Sequence, residues 1–295
     1  MNIRAATRDD FPAMLELLLE DEEMQFGRAS RLGLGDLDGW LGRVDLANDS
    51  WLYDEDGRLV ALGWTEKEGE GGLSFAIGVV RPGAKGRGLG AQLVQRSEAC
   101  ARERGATRMH QLALGPDAAA ASLIVANGYR VVRRFYEMAI ELEEPPEAPA
   151  LVVEVFRAED AEAFHATLDE AFRDHWEHHG RPFEEWWTGH QAQAGFDPSL
   201  WFLIRDGAEI AAVARNDANR NGGGYVGALG VRRPWRGKGY AKALLLHTFR
   251  EFFDRGSPRI TLGVDAQSPT GATHLYERVG MQVEQENVVF EKDLL

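Results

Sequence analysis

The sequence predicts a mixed α/β fold, a sheet with helices on both faces, present twice in tandem. Two observations carry this: an internal repeat half a chain long, and alternating strand and helix patterns within each copy. The repeat is anchored on two glycine loops, GVVRPGAKGRGLGAQL from Gly78 and GVRRPWRGKGYAKALL from Gly230. They align Val80 with Val231 and Gly88 with Gly239, each pair 151 residues apart. The same correspondence pairs Asn127–Tyr129 with Val279–Met281 at 152 and Asp10 with Asp160 at 150. An offset stable to one residue along the chain means a duplicated domain, whereas a solenoid repeats every 20–50 residues or so. Between the copies lies ELEEPPEAPALVV, whose three prolines and four glutamates extend neither a strand nor a helix. The expected domains are therefore 1–143 and 152–295, joined by a linker over 144–151.

The second copy is the clearer one. Val152–Phe156 alternates and predicts a first strand. Glu159 and Asp160 supply the acidic first turn of a helix that runs to Phe172. A second helical pattern covers Phe183–Ala194. WFLIRDGAEIAAVAR is a hairpin around Asp206-Gly207, a strong turn dipeptide. The run Asn221–Gly224 is a flexible hairpin loop before YVGALGV, a buried strand. The basic glycine loop follows, then a helix over Tyr240–Arg255, the strand RITLGV and a helix over Pro269–Val279. Two closing strands are expected near Gln282–Glu284 and Val288–Glu291. The first copy follows the same order, with LYDEDGRLVALGW as its hairpin.

Composition narrows the function classes. With 44% hydrophobic and 27% charged residues, the 295-residue chain can bury a core in each copy. No apolar run approaches the roughly 20 residues of a membrane span, and MNIRAATRDDF lacks a signal-peptide layout. A single cysteine, Cys100, excludes an internal disulfide framework, and amid helical alanines it is expected to be a small buried hydrophobe. A cytoplasmic protein is expected. The net charge of −14 argues against general nucleic-acid binding and favours a neutral or cationic small substrate.

Against that acidity, Arg232, Arg233, Arg236 and Lys238 crowd one loop between strand and helix. A helix N-terminus offers unpaired N–H groups and the positive end of a dipole, and glycine lets a bulky anion approach them. The device binds phosphate. No GK[ST] follows either loop, so it is not a Walker loop. Gly86–Ala91 satisfies a dinucleotide fingerprint formally, but His110 stands where that motif needs a ribose-binding acid.

The stretch Val231–Ala241 resembles motif A of the GCN5-related N-acetyltransferases, the GNAT family, whose core is Arg/Gln-x-x-Gly-x-Gly/Ala. Arg236-Gly237-Lys238-Gly239-Tyr240-Ala241 matches it in full, and Lys85-Gly86-Arg87-Gly88-Leu89-Gly90 matches with lysine first. The two-copy layout is similar to that of the family's tandem members, mycothiol synthases among them. The resemblance implies two acyl-CoA N-acyltransferase domains and acetyl-CoA as co-substrate, with no metal. It implies pyrophosphate held by the two glycine loops. It further implies pantetheine running along Leu229-Gly230-Val231, with Val80 the equivalent in the first copy. Ser268 stands where many members have asparagine near the cofactor. Tyr276, in an L-Y-x-x-x-G pattern, takes the position of the general acid that protonates the leaving thiolate. Ile124 stands opposite it in the first copy and donates no proton. The N-terminal domain is therefore expected to be catalytically degenerate and the C-terminal one active on a small-molecule primary amine.

No general base is assigned. Asp217, Asp174, His175, Glu177 and His178 are candidates, as is a water chain. His175, His178 and His179 lie among Trp176, Phe183, Trp186 and Trp187, a stretch that suits an acceptor pocket wall or packing better than a metal centre, since H-x-x-H-H is no strong metal signature. Two other functions stay open at this point: a non-catalytic acyl-CoA sensor or scaffold, and a dinucleotide oxidoreductase. The sequence does not specify an oligomeric state.

Overall fold

Period-2 alternation places successive residues of each strand on opposite faces, and both copies use it to bury helices on each side of a sheet. The protein was analysed as a computed structural model that describes residues 1–28, 31–68, 72–178, 180–193 and 195–294. It divides into two units. One comprises Met1–Phe135 with Gln285–Leu295, the other Tyr136–Glu284.

The first unit contains β1 (Asn2–Arg4), α1 (Phe11–Phe26), α2 (Leu34–Leu41), α3 (Leu46–Asp49), β2 (Ser50–Glu55), β3 (Arg58–Glu68), β4 (Leu73–Val80), α4 (Leu89–Glu103), β5 (Arg108–Leu114) and α5 (Ala118–Ala126). A sixth strand, β6 (Arg130–Glu141), leads out of it. Leu52, Leu62 and Trp64 pack with Met14 and Leu17 of α1, while Tyr53 and Ala61, one residue out of phase, pack with Leu89 and Leu93 of α4. Cys100 on α4 is buried, its thiol pushed up by that burial, and it donates to Asp49 at 3.2 Å.

The second unit continues with β7 (Glu154–Val155), α6 (Ala161–Phe172), α7 (Phe183–Gln191), β8 (Phe202–Asp206), β9 (Glu209–Arg220), β10 (Gly223–Val231), α8 (Tyr240–Asp254), β11 (Arg259–Asp265) and α9 (Ala272–Arg278). Leu203 and Val213 face Phe164 and Leu168 of α6, and Phe202, Ala212 and Ala214 face Ala243 and Leu244 of α8. The strand orders are β1-β2-β3-β4-β5-β12 in the first unit and β7-β8-β9-β10-β11-β6 in the second, where β12 is Gln282–Asp293.

Three expectations differ from the structure here. The two short closing strands are one strand, β12. It runs antiparallel to β5 from Asn287↔Leu114 to Asp293↔Arg108, so the C-terminal residues complete the first unit. The linear division at 144–151 is correspondingly replaced: Tyr136–Glu141 of β6 and the proline-rich stretch belong to the second unit. Val152–Phe156 also contracts to the two residues of β7.

Aromatic packing in the second unit buries a histidine. His190 on α7 lies 4.7 Å from the Trp186 ring and 5.4 Å from Trp201, and its Nδ1 donates to the Trp186 carbonyl at 2.9 Å. Burial, aided by nearby Arg215, lowers it to about 4. A folded pKa below the unfolded value means that the unfolded chain takes up the proton first as pH falls. The neutral ring's contribution is complete above about pH 6.5 and is lost towards pH 4, a change on the order of 3 kcal/mol. Urea unfolding at pH 7 and pH 4.5 should therefore show a markedly smaller acid loss in His190→Gln than in the parent. Equal losses in the two proteins would contradict it.

Candidate active site

The strand pair beside each glycine loop is only half closed. β10 runs parallel to β11 at Gly224↔Ile260 and Tyr225↔Thr261, and the pairing ends there among the described residues. β4 and β5 pair from Leu73↔Arg108 to Ala76↔Gln111 and then likewise stop. Beyond those points the backbone of Val226–Val231 and of Ile77–Val80 has no strand partner on that side, so its N–H and C=O groups are available to an extended ligand. β10 also carries register shifts against β9, one of them between Val226 and Ala228. A bulge there re-aims the chain at Gly227. A Cβ on Gly227 would lie 2.7 Å from Arg215 Nη2 and 2.9 Å from Asp217 Oδ2, so this pair covers the bulge.

Both loops reach their helices through two left-handed glycines. Gly86 and Gly88 have φ of 80°, and Gly237 and Gly239 have φ of 76° and 85°. Gly88 caps α4 and Gly239 caps α8. At all four positions an added Cβ would meet nothing within 4 Å, so space for an anion lies over the first helical turn. Leu89 and Tyr240 open the two helices, followed by Gly90 and Ala241. Gly90 is needed for closeness, because a Cβ there would come within 2.7 Å of Leu123 on α5.

The loop arginines do a different job from the one their charge suggests. Arg232 donates to Glu170 at 2.7 Å and Glu209 at 2.9 Å, and lies over the Trp235 ring. Arg233 pairs with Asp174. Arg236 donates to the carbonyls of Val231 and Ala171, each at 3.1 Å. These side chains tie the loop to α6 and to its own strand. Lys238 is exposed and has no such pair among the described residues. In the first copy Arg81 repeats the part of Arg232, donating to the Leu59 carbonyl at 2.7 Å and to Glu20 on α1. Arg87 makes a two-pronged bridge to Glu55 at 2.8 and 2.6 Å. Lys85 bridges Asp21 at 2.8 Å and Asp117 at 2.9 Å. Burial opposes its charge, but the two carboxylates outweigh burial and raise it. The anion device therefore rests on backbone amides, and most of the basic side chains hold that backbone in place.

Tyr276 and Ile124 occupy equivalent positions. Each is the buried residue of its short helix. Met281 N–H donates to the Tyr276 carbonyl at 3.0 Å, and Tyr129 N–H to the Ile124 carbonyl at 3.4 Å. Left-handed Gly280 and Gly128 make the intervening turns. The Tyr276 ring is 8% exposed in the core beneath α8. Burial, with Tyr225 beside it, pushes the phenol up to about 12. Tyr276 shares that core with Val226 and Leu229, two residues on the unpaired run of β10. Leu229 and Gly230 lie on the unpaired run of β10, with Gly230 in close contact with Ala171 of α6. Ser268, partly exposed, bonds Thr270 Oγ1 at 2.9 Å at the end of β11.

Of the base candidates, Asp217 stands opposite Tyr225 in register and is paired with Arg215 at 3.4 Å. Asp174 is committed to Arg233, His178 to Asp169 at 3.2 Å, and His175 stacks on Phe172 at 4.4 Å. Glu177 sits in the left-handed region at φ 51°. His179 lies outside the described residues, so the three-histidine grouping is not described as a whole. The bulge at Gly227 and the double clamp on Lys85 escaped the sequence reading. The first had a signal, a glycine inside a strand pattern. The second joins residues almost a hundred positions apart.

The profile of the acetyltransferase (GNAT) family matches residues 11–129 and again 161–281. The chain belongs to the GNAT acetyltransferase family. Two mycothiol acetyltransferases are similar: that of Thermomonospora curvata is 28% identical over 242 residues, covering 78% of each chain, and that of Thermobispora bispora is 31% identical over 218 residues, covering 68% of this chain and 70% of the relative. A solved GCN5-related N-acetyltransferase from Sphaerobacter thermophilus superposes with a TM-score of 0.87 at 30% identity, covering 99% of this chain and 95% of that one. The protein is thus a tandem GNAT N-acetyltransferase, an enzyme class whose acyl donor is acetyl-CoA. The dinucleotide reading falls with that membership. No helix among the described residues is long and apolar enough to cross a membrane.

Proposed function

We propose that the second unit carries the reaction, transferring acetyl from acetyl-CoA to the primary amine of a small molecule by direct attack. The observation that supports this is the packing of Tyr276 against Val226 and Leu229 of the unpaired β10 run, the strand that leads into the loop capped by Gly239. On this reading the amides of Arg236–Ala241 hold pyrophosphate and Leu229–Val231 pairs with pantetheine, with Ser268 near that arm. The amine nitrogen forms the new C–N bond, the C–S bond breaks, and the thiolate takes its proton from Tyr276, which is restored from solvent. Its position over the bulge supports Asp217 as the group that relays the proton lost by the amine. The first unit keeps the loop device at Lys85–Gly90 and Val80 but has Ile124 for the acid, so it binds CoA without turning it over.

The names of the similar proteins make a mycothiol-type amine the first acceptor to test. Thiol release from acetyl-CoA, followed with such an amine, polyamines, aminoglycosides and peptide N-termini, should reveal turnover with one class. Tight CoA binding with no turnover on any of them would instead favour a sensor or scaffold.

A further inference from the structure

The cleft of the first unit extends beneath its helices. A cavity of about 320 Å³ runs from the glycine loop along Gly78–Val80 and inward to Val94, Ser97, Gln111 and Ile124. Gln111 is 4% exposed on β5, between Met109 and Ala113, which face an apolar core. Its Nε2 and the Tyr129 hydroxyl make no hydrogen bond of good geometry among the described residues, although the two groups, with Glu98, lie near enough to influence one another. A buried amide left unpaired costs about 1–3 kcal/mol.

In the second copy the equivalent positions are all apolar or aromatic. Leu262 stands in place of Gln111, Leu245 in place of Val94, Met281 in place of Tyr129 and Tyr276 in place of Ile124, all four in one apolar core. Exchanging Tyr276 for Ile124 and Leu245 for Val94 removes a ring and a methylene from the cavity wall, while the ring that Tyr129 adds in place of Met281 is not part of that lining. Exchanging Leu262 for Gln111 adds a donor at the inner end. More room and an unsatisfied donor, both continuous with the cleft, suit a bound group longer than acetyl that carries an acceptor oxygen.

We propose that the first unit binds a CoA thioester with a 3-oxoacyl-type group, larger than acetyl, whose distal carbonyl accepts from Gln111 Nε2. This rests on the reading that the first unit holds CoA. With Ile124 in place of an acid the thioester is bound intact, so the unit selects an acyl-CoA rather than consuming one.

Calorimetric titration of the full chain with CoA, acetyl-CoA, butyryl-CoA and acetoacetyl-CoA tests it. At the first site, acetoacetyl-CoA should bind about tenfold more tightly than butyryl-CoA, the scale of one hydrogen bond. Gln111→Leu, which installs the second copy's residue, should abolish that preference and leave CoA itself unaffected. Ile124→Tyr should refill the chamber and exclude both longer thioesters while CoA still binds. Equal affinities for the three thioesters in the parent, or a preference that survives Gln111→Leu, would overturn the proposal. A CoA stoichiometry that does not fall in Gly88→Val would overturn the underlying reading as well. A site lost in Gly88→Val without acyl preference in the parent would overturn this proposal alone.

Discussion

Tyr276→Phe should lower kcat by about 10²-fold or more, the scale of losing a positioned general acid, and leave KM for acetyl-CoA nearly unchanged. The ring is buried in the α8–α9 core, and phenylalanine keeps its volume, so folding should survive. In the proposed role the hydroxyl acts only as the C–S bond breaks, so the effect should fall on the chemical step. The pH profile supplies a second readout. Burial and Tyr225 hold the phenol up to about 12, so the acid form persists across the assayable range. kcat should therefore show no alkaline decline below about pH 10 attributable to this group, and the variant should lower the profile without reshaping it. A weak acid of this kind is effective only if the thiolate it serves is raised by the same burial, because proton transfer follows the difference between the two. Turnover at the parent level in Tyr276→Phe would remove the division of labour between the units.

The repeat made much of this site legible. Its constant offset set Ile124 opposite Tyr276 before any geometry was known, and the left-handed glycines followed from the loop pattern, because only glycine takes φ near 80° without strain. Other features were hidden for physical reasons. A proline-rich stretch signals where regular structure stops, but a domain edge depends on which strands pair. Here the edge falls inside β6 and β12, two unbroken strands whose alternation carries no mark of it. The roles of the loop arginines were misjudged for a related reason. Charge in sequence looks like attraction for an outside ligand, yet Glu170, Glu209 and Asp174 come from distant segments to take it up. Gln111 was passed over because one polar residue in an otherwise apolar strand pattern does not disclose that its neighbours leave a cavity.

Gly239→Val and Gly88→Val should separate the two proposed CoA sites. At Gly239 φ is 85°, and a β-branched residue there costs about 1–2 kcal/mol in backbone strain alone. The larger effect is on the ligand. No atom lies within 4 Å of the Cβ position, so the new side chain would stand in the space where the first-turn amides meet an anion. Gly239→Val should therefore abolish turnover at ordinary acetyl-CoA concentrations through KM, while CoA stoichiometry falls from two to one. Gly88 has φ of 80° and the same open surroundings, so Gly88→Val should remove the other CoA and leave turnover intact. Arg232→Ala is the contrast. Its guanidinium bridges α6 and β9 rather than facing the anion space, so it should lower the melting temperature more than the affinity for CoA. If turnover were lost in Gly88→Val and kept in Gly239→Val, the catalytic unit would be the first, and the roles assigned to Tyr276 and Ile124 would have to be exchanged.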